Sequence, residues 1–430
     1  MALLLFGVFF LLIFLNVPIA VALGLSSIVT LGFSAAFGIP LPLEMFPNLM
    51  YSGVGKFALL AIPYFIMAGL VMEYAGISKR LITFASAFVG HTKGGLIIVV
   101  VVVSCFFAAI SGSGPATVAA LGAILIPAMV SAGYNRGLST ALMSSSGAIG
   151  IIIPPSILYV VYASISDVSV AKIFAGGFLP GALLGAAFII AAMICSRKDK
   201  ITRQPKASAR ERWLAFKDAF WGLLTPVVIL GGIYGGVFTP TESAGIAIIY
   251  ALIVGIFIYK EINLKNVGKL FVDAAVMSAQ VMFIVACATV FAWLLTTSHM
   301  ATDAAQALLT ISGNNKIILL IIINIIFLVA GCLLDANSAC YILVPVLLPV
   351  CMKMGVDPVH FGVFMTVNLA IGLVTPPVGI NLYVGASILK VPIMEVCKKV
   401  IPFVIAGIIA LAFVTYVPQI TMFTANLLTK

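Results

Sequence analysis

The sequence predicts an all-α polytopic membrane protein, built as an inverted-topology repeat with two re-entrant helical hairpins and two broken helices. Three observations predict it. Of 430 residues 63% are hydrophobic and 8% charged, with a mean hydropathy of +1.25, whereas a soluble domain carries about 25% charged residues. Apolar runs recur at membrane-crossing length, about 20 residues at ~1.5 Å rise through a ~30 Å hydrocarbon core. Prolines and glycines repeat at one fixed spacing between two halves of the chain.

Taken in order, the apolar runs give spans at 2–16, 18–38, 57–75, 136–166, 171–195, 219–237, 240–259, 270–297, 359–388 and 400–425, ten crossings in all. The first lacks a basic leading segment and is followed by Asn16-Val17-Pro18 and another apolar run, so it reads as a span, not a cleaved signal. Two regions, 94–132 and 316–351, are too long for one crossing. They are interrupted by Ser111-Gly112-Ser113-Gly114-Pro115 and Asp335-Ala336-Asn337-Ser338, and both read as re-entrant hairpins. Hydropathy alone leaves open two complete spans joined by a polar loop.

Charge sets the orientation. The segment 196–222 holds Arg197, Lys198, Lys200, Arg203, Lys206, Arg210, Arg212 and Lys217, which places it in the cytoplasm. Counting crossings from there puts 18 of the 23 basic residues inside and leaves Lys56, Lys172, Lys316, Lys353 and Lys430 outside. Both termini then fall outside. Because a hairpin returns to its own side, this tally supports ten net crossings without deciding re-entrance. The organisation is a first repeat over 1–195, a basic cytoplasmic linker over 196–218 and a second repeat over 219–430. The basic linker reads as a topological anchor in preference to a lipid-binding switch. The net charge of +10 is a topology signal and implies no nucleic-acid partner. Seven cysteines (105, 195, 287, 332, 340, 351, 397) show no C-x-x-C spacing and read as small packing residues.

The halves align at a single offset. Pro18 and Pro240, Pro127 and Pro349, Gly133 and Gly355, Gly150 and Gly372, Pro154 and Pro376, Pro155 and Pro377, and Pro180 and Pro402 each differ by 222. Each copy holds five crossings and one hairpin. An odd number of crossings inserts the second copy upside down, so the hairpins enter from opposite faces. After each hairpin comes a helix interrupted by glycine and a Pro-Pro pair, at 144–156 in the first copy and 368–381 in the second. Adjacent prolines remove two backbone donors and force the preceding residue out of the α region, so the helix breaks. Carbonyls freed at that depth must be buried in protein or line a polar cavity, and beside hydroxyls they suit a hard cation such as Na⁺. The neighbouring half-helix N-termini suit an anion.

The runs Ser111-Gly112-Ser113-Gly114-Pro115-Ala116-Thr117, 147–156, Gly236-Val237-Phe238-Thr239-Pro240-Thr241-Glu242-Ser243-Ala244 and Gly372-Leu373-Val374-Thr375-Pro376-Pro377-Val378-Gly379 carry a resemblance spread over almost the whole chain. It resembles the large membrane subunit of the tripartite ATP-independent periplasmic (TRAP) transporters. The resemblance implies a bacterial inner-membrane secondary transporter for small organic anions such as sialic acid or a C4-dicarboxylate. It also implies drive by Na⁺, an elevator mechanism, a small four-helix membrane subunit and a periplasmic substrate-binding protein as partners, with membrane lipid around them. Carried over by position, a first Na⁺ site would use Ser111 and Ser113 with carbonyls near Gly150, Ile153 and Pro155. A second would use Gly331 with Gly372, Thr375 and Val378. Asp335, Asn337, Ser338, Thr117, Ser156 and Asn381 are the candidates for substrate contact, and Asp335 has a competing reading as a helix N-cap.

Rival classes lack parts. An intramembrane serine hydrolase could use Gly112-Ser113-Gly114, but His91, His299 and His360 fall at expected span ends, away from hairpin depth, and read as interfacial. A nucleotide-driven pump would need a G-x-x-x-x-G-K-[ST] loop, which the sequence lacks. A passive anion channel could use two opposed hairpins but has no evident need for the Pro-Pro breaks. No enzymatic activity is expected.

Overall fold

The computed structural model describes residues 1–202 and 205–429, without the side chains of 264–266. The expected positions of Arg203, Lys430 and the Lys265 side chain therefore lie outside the described residues. The first half contributes α1 (Ala2–Phe14), α2 (Ile19–Gly32), α3 (Met45–Val54), α4 (Ala61–Tyr74), α5 (Ile77–Val89), α6 (Gly95–Ser111), α7 (Gly114–Ser131), α8 (Arg136–Ala148), α9 (Ile157–Ser166) and α10 (Val170–Cys195). The second contributes α11 (Ala209–Tyr234), α12 (Pro240–Ile253), α13 (Leu264–Thr297), α14 (Met300–Ile311), α15 (Lys316–Leu333), α16 (Ala336–Lys353), α17 (Pro358–Gly372), α18 (Ile380–Leu389), α19 (Ile393–Tyr416) and α20 (Gln419–Leu428). Nine helical stretches among the described residues are long and apolar enough to cross a membrane, and no described residue is in a strand.

The offset of 222 reappears in the helix ends: α7 and α16 start and stop at equivalent positions, and α8 and α17 start together. Both helix breaks carry the same cis bond, Pro154–Pro155 and Pro376–Pro377. The packing exchanges roles between copies. Helix α4 packs on α12 while α13 packs on α2; α7 packs on α18 while α16 packs on α9; α8 packs on α19 while α17 packs on α10. Such swapped pairs are what a two-fold relation between interlocked repeats produces, as inverted repeats in one membrane require.

Local chemistry explains the helix ends. Asn135 accepts a hydrogen bond from the Leu138 amide and caps α8, and Asp357 accepts from Val359 at the start of α17. The run Gly236 to Ala244 is a helix start: Thr239 and Glu242 close a reciprocal capping box around Pro240, and the Ser243 hydroxyl donates 2.7 Å to the Ile229 carbonyl of α11. A second box, Ser208 with Glu211, begins α11, so the basic segment is helical over 209–218.

Four helices were not expected from hydropathy. Helices α5 and α14 are amphipathic and equivalent in the two copies; their charged faces, with Lys79 and Arg80 or Asp303, interrupt any apolar run. Short α3 is separate in copy one, whereas α13 runs unbroken through the equivalent stretch. Gly53, Gly55 and Pro63 become Ala275, Met277 and Val285 there, so nothing stops the helix. The expected span at 400–425 divides at Pro418 into α19 and α20. Cys287 packs against Gly24, as a small apolar residue would.

Candidate functional site

The two hairpins are α6–α7 and α15–α16, and their turns are short. At the first, Gly112 closes α6 with φ +60°, and a methyl group there would lie 3.0 Å from the Pro155 carbonyl oxygen. Only glycine serves such a left-handed turn pressed against another backbone. The first hairpin tip and the first helix break are therefore one assembly. Gly150 continues it, since a methyl on that residue would sit 2.9 Å from the Ser113 carbonyl oxygen and 3.0 Å from Thr117 Oγ1. The Thr117 hydroxyl donates 2.8 Å to the Ser113 carbonyl, and the Ser111 and Thr117 hydroxyls are 2.9 Å apart. Hard oxygen donors from the tip thus gather beside the carbonyl edge of the break, a donor set of the kind Na⁺ takes. Of the first expected ion set, Ser111, Ser113, Gly150 and Pro155 come together; Ile153 was expected through its carbonyl, and its side chain packs against Gly181.

The second tip is built differently. Asp335 caps α16, accepting 3.1 Å bonds from the Asn337 and Ser338 amides and a 2.5 Å bond from the Ser338 hydroxyl. It occupies the position equivalent to Ser113, whose side chain caps nothing. Behind it, α15 and α17 touch backbone to backbone: a methyl on Gly372 would fall 2.5 Å from the Gly331 carbonyl carbon. Small residues permit this approach where van der Waals packing holds helices together. Thr375 turns its hydroxyl back to the Ile371 carbonyl at 2.7 Å, and Val378 is 39% exposed at the break.

Both tips and both breaks meet around one cavity of about 200 Å³. Its walls include Ser111, Ser113, Asp335 and Asn337 from the tips, with Ile157 and Ile380 from the restarting helices. A complete span would carry its turn to a membrane face. Here both turns lie together, level with the helix breaks, so each hairpin turns back within the protein. Four helix N-termini, those of α7, α9, α16 and α18, begin at this cavity. No Lys, Arg or His is among the described residues lining it.

The substrate candidates divide. Asp335 and Asn337 line the cavity. Ser338, Thr117, Ser156 and Asn381 are fully buried beside it. Ser156 donates 2.6 Å to the Ile151 carbonyl, steadying the break. Asn381 crosses between repeats: its amide donates 3.1 Å to the Ser144 carbonyl and its own carbonyl accepts 3.0 Å from the Ser144 hydroxyl, while its Oδ1 has no partner. Glu73 of α4 and Gln280 of α13 form the opposite wall, and neither was among the expected residues. Glu73 was findable, being an acid within the expected span 57–75. His360, at the start of α17, is 3% exposed and bonded to Thr415 and Thr421.

Fold and site define the class: a polytopic membrane protein of inverted repeats, with paired hairpins and broken helices enclosing a central cavity. Residues 6–420 match the family model of the tripartite ATP-independent periplasmic transporter, DctM component. The chain belongs to that family. It is 38% identical over 441 residues to the C4-dicarboxylate TRAP transporter large permease protein DctM of Rhodobacter capsulatus, covering 99% of each. It is 42% identical to the isethionate TRAP transporter permease protein DctMQ of Oleidesulfovibrio alaskensis, over 98% of this chain and 66% of that protein. It is 35% identical to the sialic acid TRAP transporter permease protein SiaT of Haemophilus influenzae, over 89% of this chain and 62% of that protein. The crystal structure of the Alcanivorax borkumensis YdaH transporter superposes with a TM-score of 0.62 over 87% of this chain and 88% of that one, at 15% identity, and shares the fold.

Proposed function

We propose that the protein carries a small organic anion across the bacterial inner membrane by Na⁺-coupled symport, receiving it from a periplasmic substrate-binding protein and working beside a small membrane subunit. The observation that carries this reading is the cavity at which four helix N-termini begin, with hydroxyls and carbonyls beside it. Partial positive charge at helix starts favours a carboxylate or sulfonate, while Ser111, Ser113, Thr117 and the Pro155 carbonyl offer a cation the oxygen ligands it needs. Holding both together neutralises the anion in a medium of low dielectric and couples their movement. The cavity lies between the hairpin assembly and a wall from α4 and α13. That position supports an elevator, in which hairpins and broken helices slide against a fixed scaffold. The basic segment at 196–217 supports a cytoplasmic placement for that face and periplasmic termini.

The fused name of the isethionate relative and the family itself support the two partners. The substrate is an organic acid of the kinds named for the relatives: a C4-dicarboxylate, isethionate or sialic acid. Reconstitution of the chain with both partners in liposomes tests the reading. Uptake of labelled succinate, isethionate or sialic acid that requires an inward Na⁺ gradient and the binding protein is expected. Equilibration of solute without either makes the protein a passive channel instead.

A further inference from the structure

The outer ends of the two hairpins form a second related pair of features, unused by the transport reading. Where α6 begins, Lys93, Gly94, Met193, Ser196, Arg197, Asp199 and Ile201 enclose a cavity of about 420 Å³. Where α15 begins, Lys316, Gly355, Asp357, His360, Thr415 and Tyr416 line another of about 420 Å³ at equivalent positions of the second copy. Their charges are arranged differently. Lys316 spends its ammonium on the Gly355 carbonyl at 3.0 Å, and His360 is bonded on both ring nitrogens. In the first cavity the acid is engaged, because Asp199 accepts 3.1 Å from the Asn135 amide, while Lys93 and Arg197 are exposed and bonded to no described residue.

We infer that this first cavity binds the phosphate of an anionic phospholipid headgroup, held between Lys93 at the foot of the hairpin and Arg197 on the strap that follows α10. Two free cations over a recess offer a phosphodiester both charge and donors, and Arg presents a fork matched to its oxygens. The recess has an apolar side, Met193 and Ile201. Ile190 and Ile194, 59% and 54% exposed on the last turns of α10, continue as an apolar track for acyl chains. The strap is itself fixed to the hairpin exit, with the Thr202 amide donating 2.9 Å to the Ala132 carbonyl. A headgroup here joins the entrance and exit of the first hairpin to the tether that leads to α11. The face proposed above as cytoplasmic is also the leaflet where anionic lipid attracts basic side chains.

Thermal unfolding of the purified full chain in detergent tests the site, titrated separately with dioleoylphosphatidylglycerol, dioleoylphosphatidylethanolamine and inorganic phosphate. Phosphatidylglycerol is expected to raise the melting midpoint and the zwitterionic lipid to leave it unchanged. Lys93→Gln/Arg197→Gln should require about thirtyfold more phosphatidylglycerol for the same rise, while Lys316→Gln behaves as the parent. A rise with inorganic phosphate that the double variant loses supports the same pocket with free phosphate as its source. Equal lipid response in parent and double variant, or no response to lipid or phosphate, overturns the inference. Arg197→Gln alone, at an exposed side chain with no protein partner, carries the test with about a fivefold change if the double variant does not fold.

Discussion

The contact between Gly331 and Gly372 makes a sharp demand on sequence. A methyl group on Gly372 would fall 2.5 Å from both the Cα and the carbonyl carbon of Gly331, and 2.8 Å from its oxygen. These are backbone atoms and cannot swing aside. Restoring ordinary contact requires α15 and α17 to part by about 0.9 Å along the line of approach, which forfeits dispersion along their shared face. Overpacking of this kind costs about 1–3 kcal/mol. The reverse substitution is milder, since a methyl on Gly331 would lie 3.1 Å from Gly372 Cα. Gly231 has nothing within 4 Å of its missing methyl, and alanine there also improves helix propensity. The expected order of melting temperature, measured on the full chain in detergent by size-exclusion after heating, is Gly231→Ala at or above the parent, then Gly331→Ala, then Gly372→Ala lowest. Gly372→Ala melting with the parent would refute the reasoning, because no side-chain rearrangement can relieve that clash.

Three further outcomes are expected. Ser113→Ala should raise the Na⁺ concentration for half-maximal uptake severalfold while leaving thermal stability near the parent value, since its side chain caps nothing; an unchanged Na⁺ curve removes Ser113 from the ion site. Glu73→Gln should lower the apparent Km for a monoanion severalfold, because the acid on the cavity wall opposes a second negative charge there; a raised Km instead would make Glu73 a ligand to the cation. Arg80 bonds Asp218 and Glu261 at 3.2 Å each and lies 3.9 Å from the Tyr259 ring centre. The two acids are more than half exposed, but the Arg80 side chain is only 15% exposed and also donates 3.2 and 3.1 Å bonds to the Ala75 and Gly76 carbonyls, so Arg80→Ala should cost about 2–3 kcal/mol, read as a fall in melting temperature of which 1 M salt reproduces only part.

The architecture was legible where a physical rule left a mark in the chain. Apolar runs mark spans, the Pro-Pro pairs mark both breaks, and the runs Ser111 to Pro115 and Asp335 to Ser338 mark the hairpin turns within a residue or two. What hydropathy missed has equally physical causes. Helices α5 and α14 are half polar, so a window averages them into loops. The ending of α3 in one copy and its continuation through α13 in the other turns on three substitutions, invisible until the copies are laid together. At the site, the oxygen cluster of the first tip followed from residue type. The far wall did not. Glu73 and Gln280 reach the cavity only through the packing of α4 and α13, and no local pattern reports which face of a spanning helix meets a hairpin 40 or 200 residues away. His360 stands at a helix start, and its place in the chain did not report that α19 and α20 enclose it.

The exchange of packing between copies has a consequence for how the chain is made. The face of α7 that rests on α18, and that of α9 that rests on α16, are covered by segments roughly 260 and 180 residues downstream. At about 5–20 residues per second, the first hairpin waits on the order of thirteen to fifty seconds for its lining. During that interval a half-formed protein sits in the bilayer with the faces of α7 and α9 that take α18 and α16 uncovered, a natural substrate for membrane quality-control proteases. Chains interrupted after the first half should therefore be degraded unless the second half is supplied as a separate polypeptide, and the two pieces, made together, should protect each other.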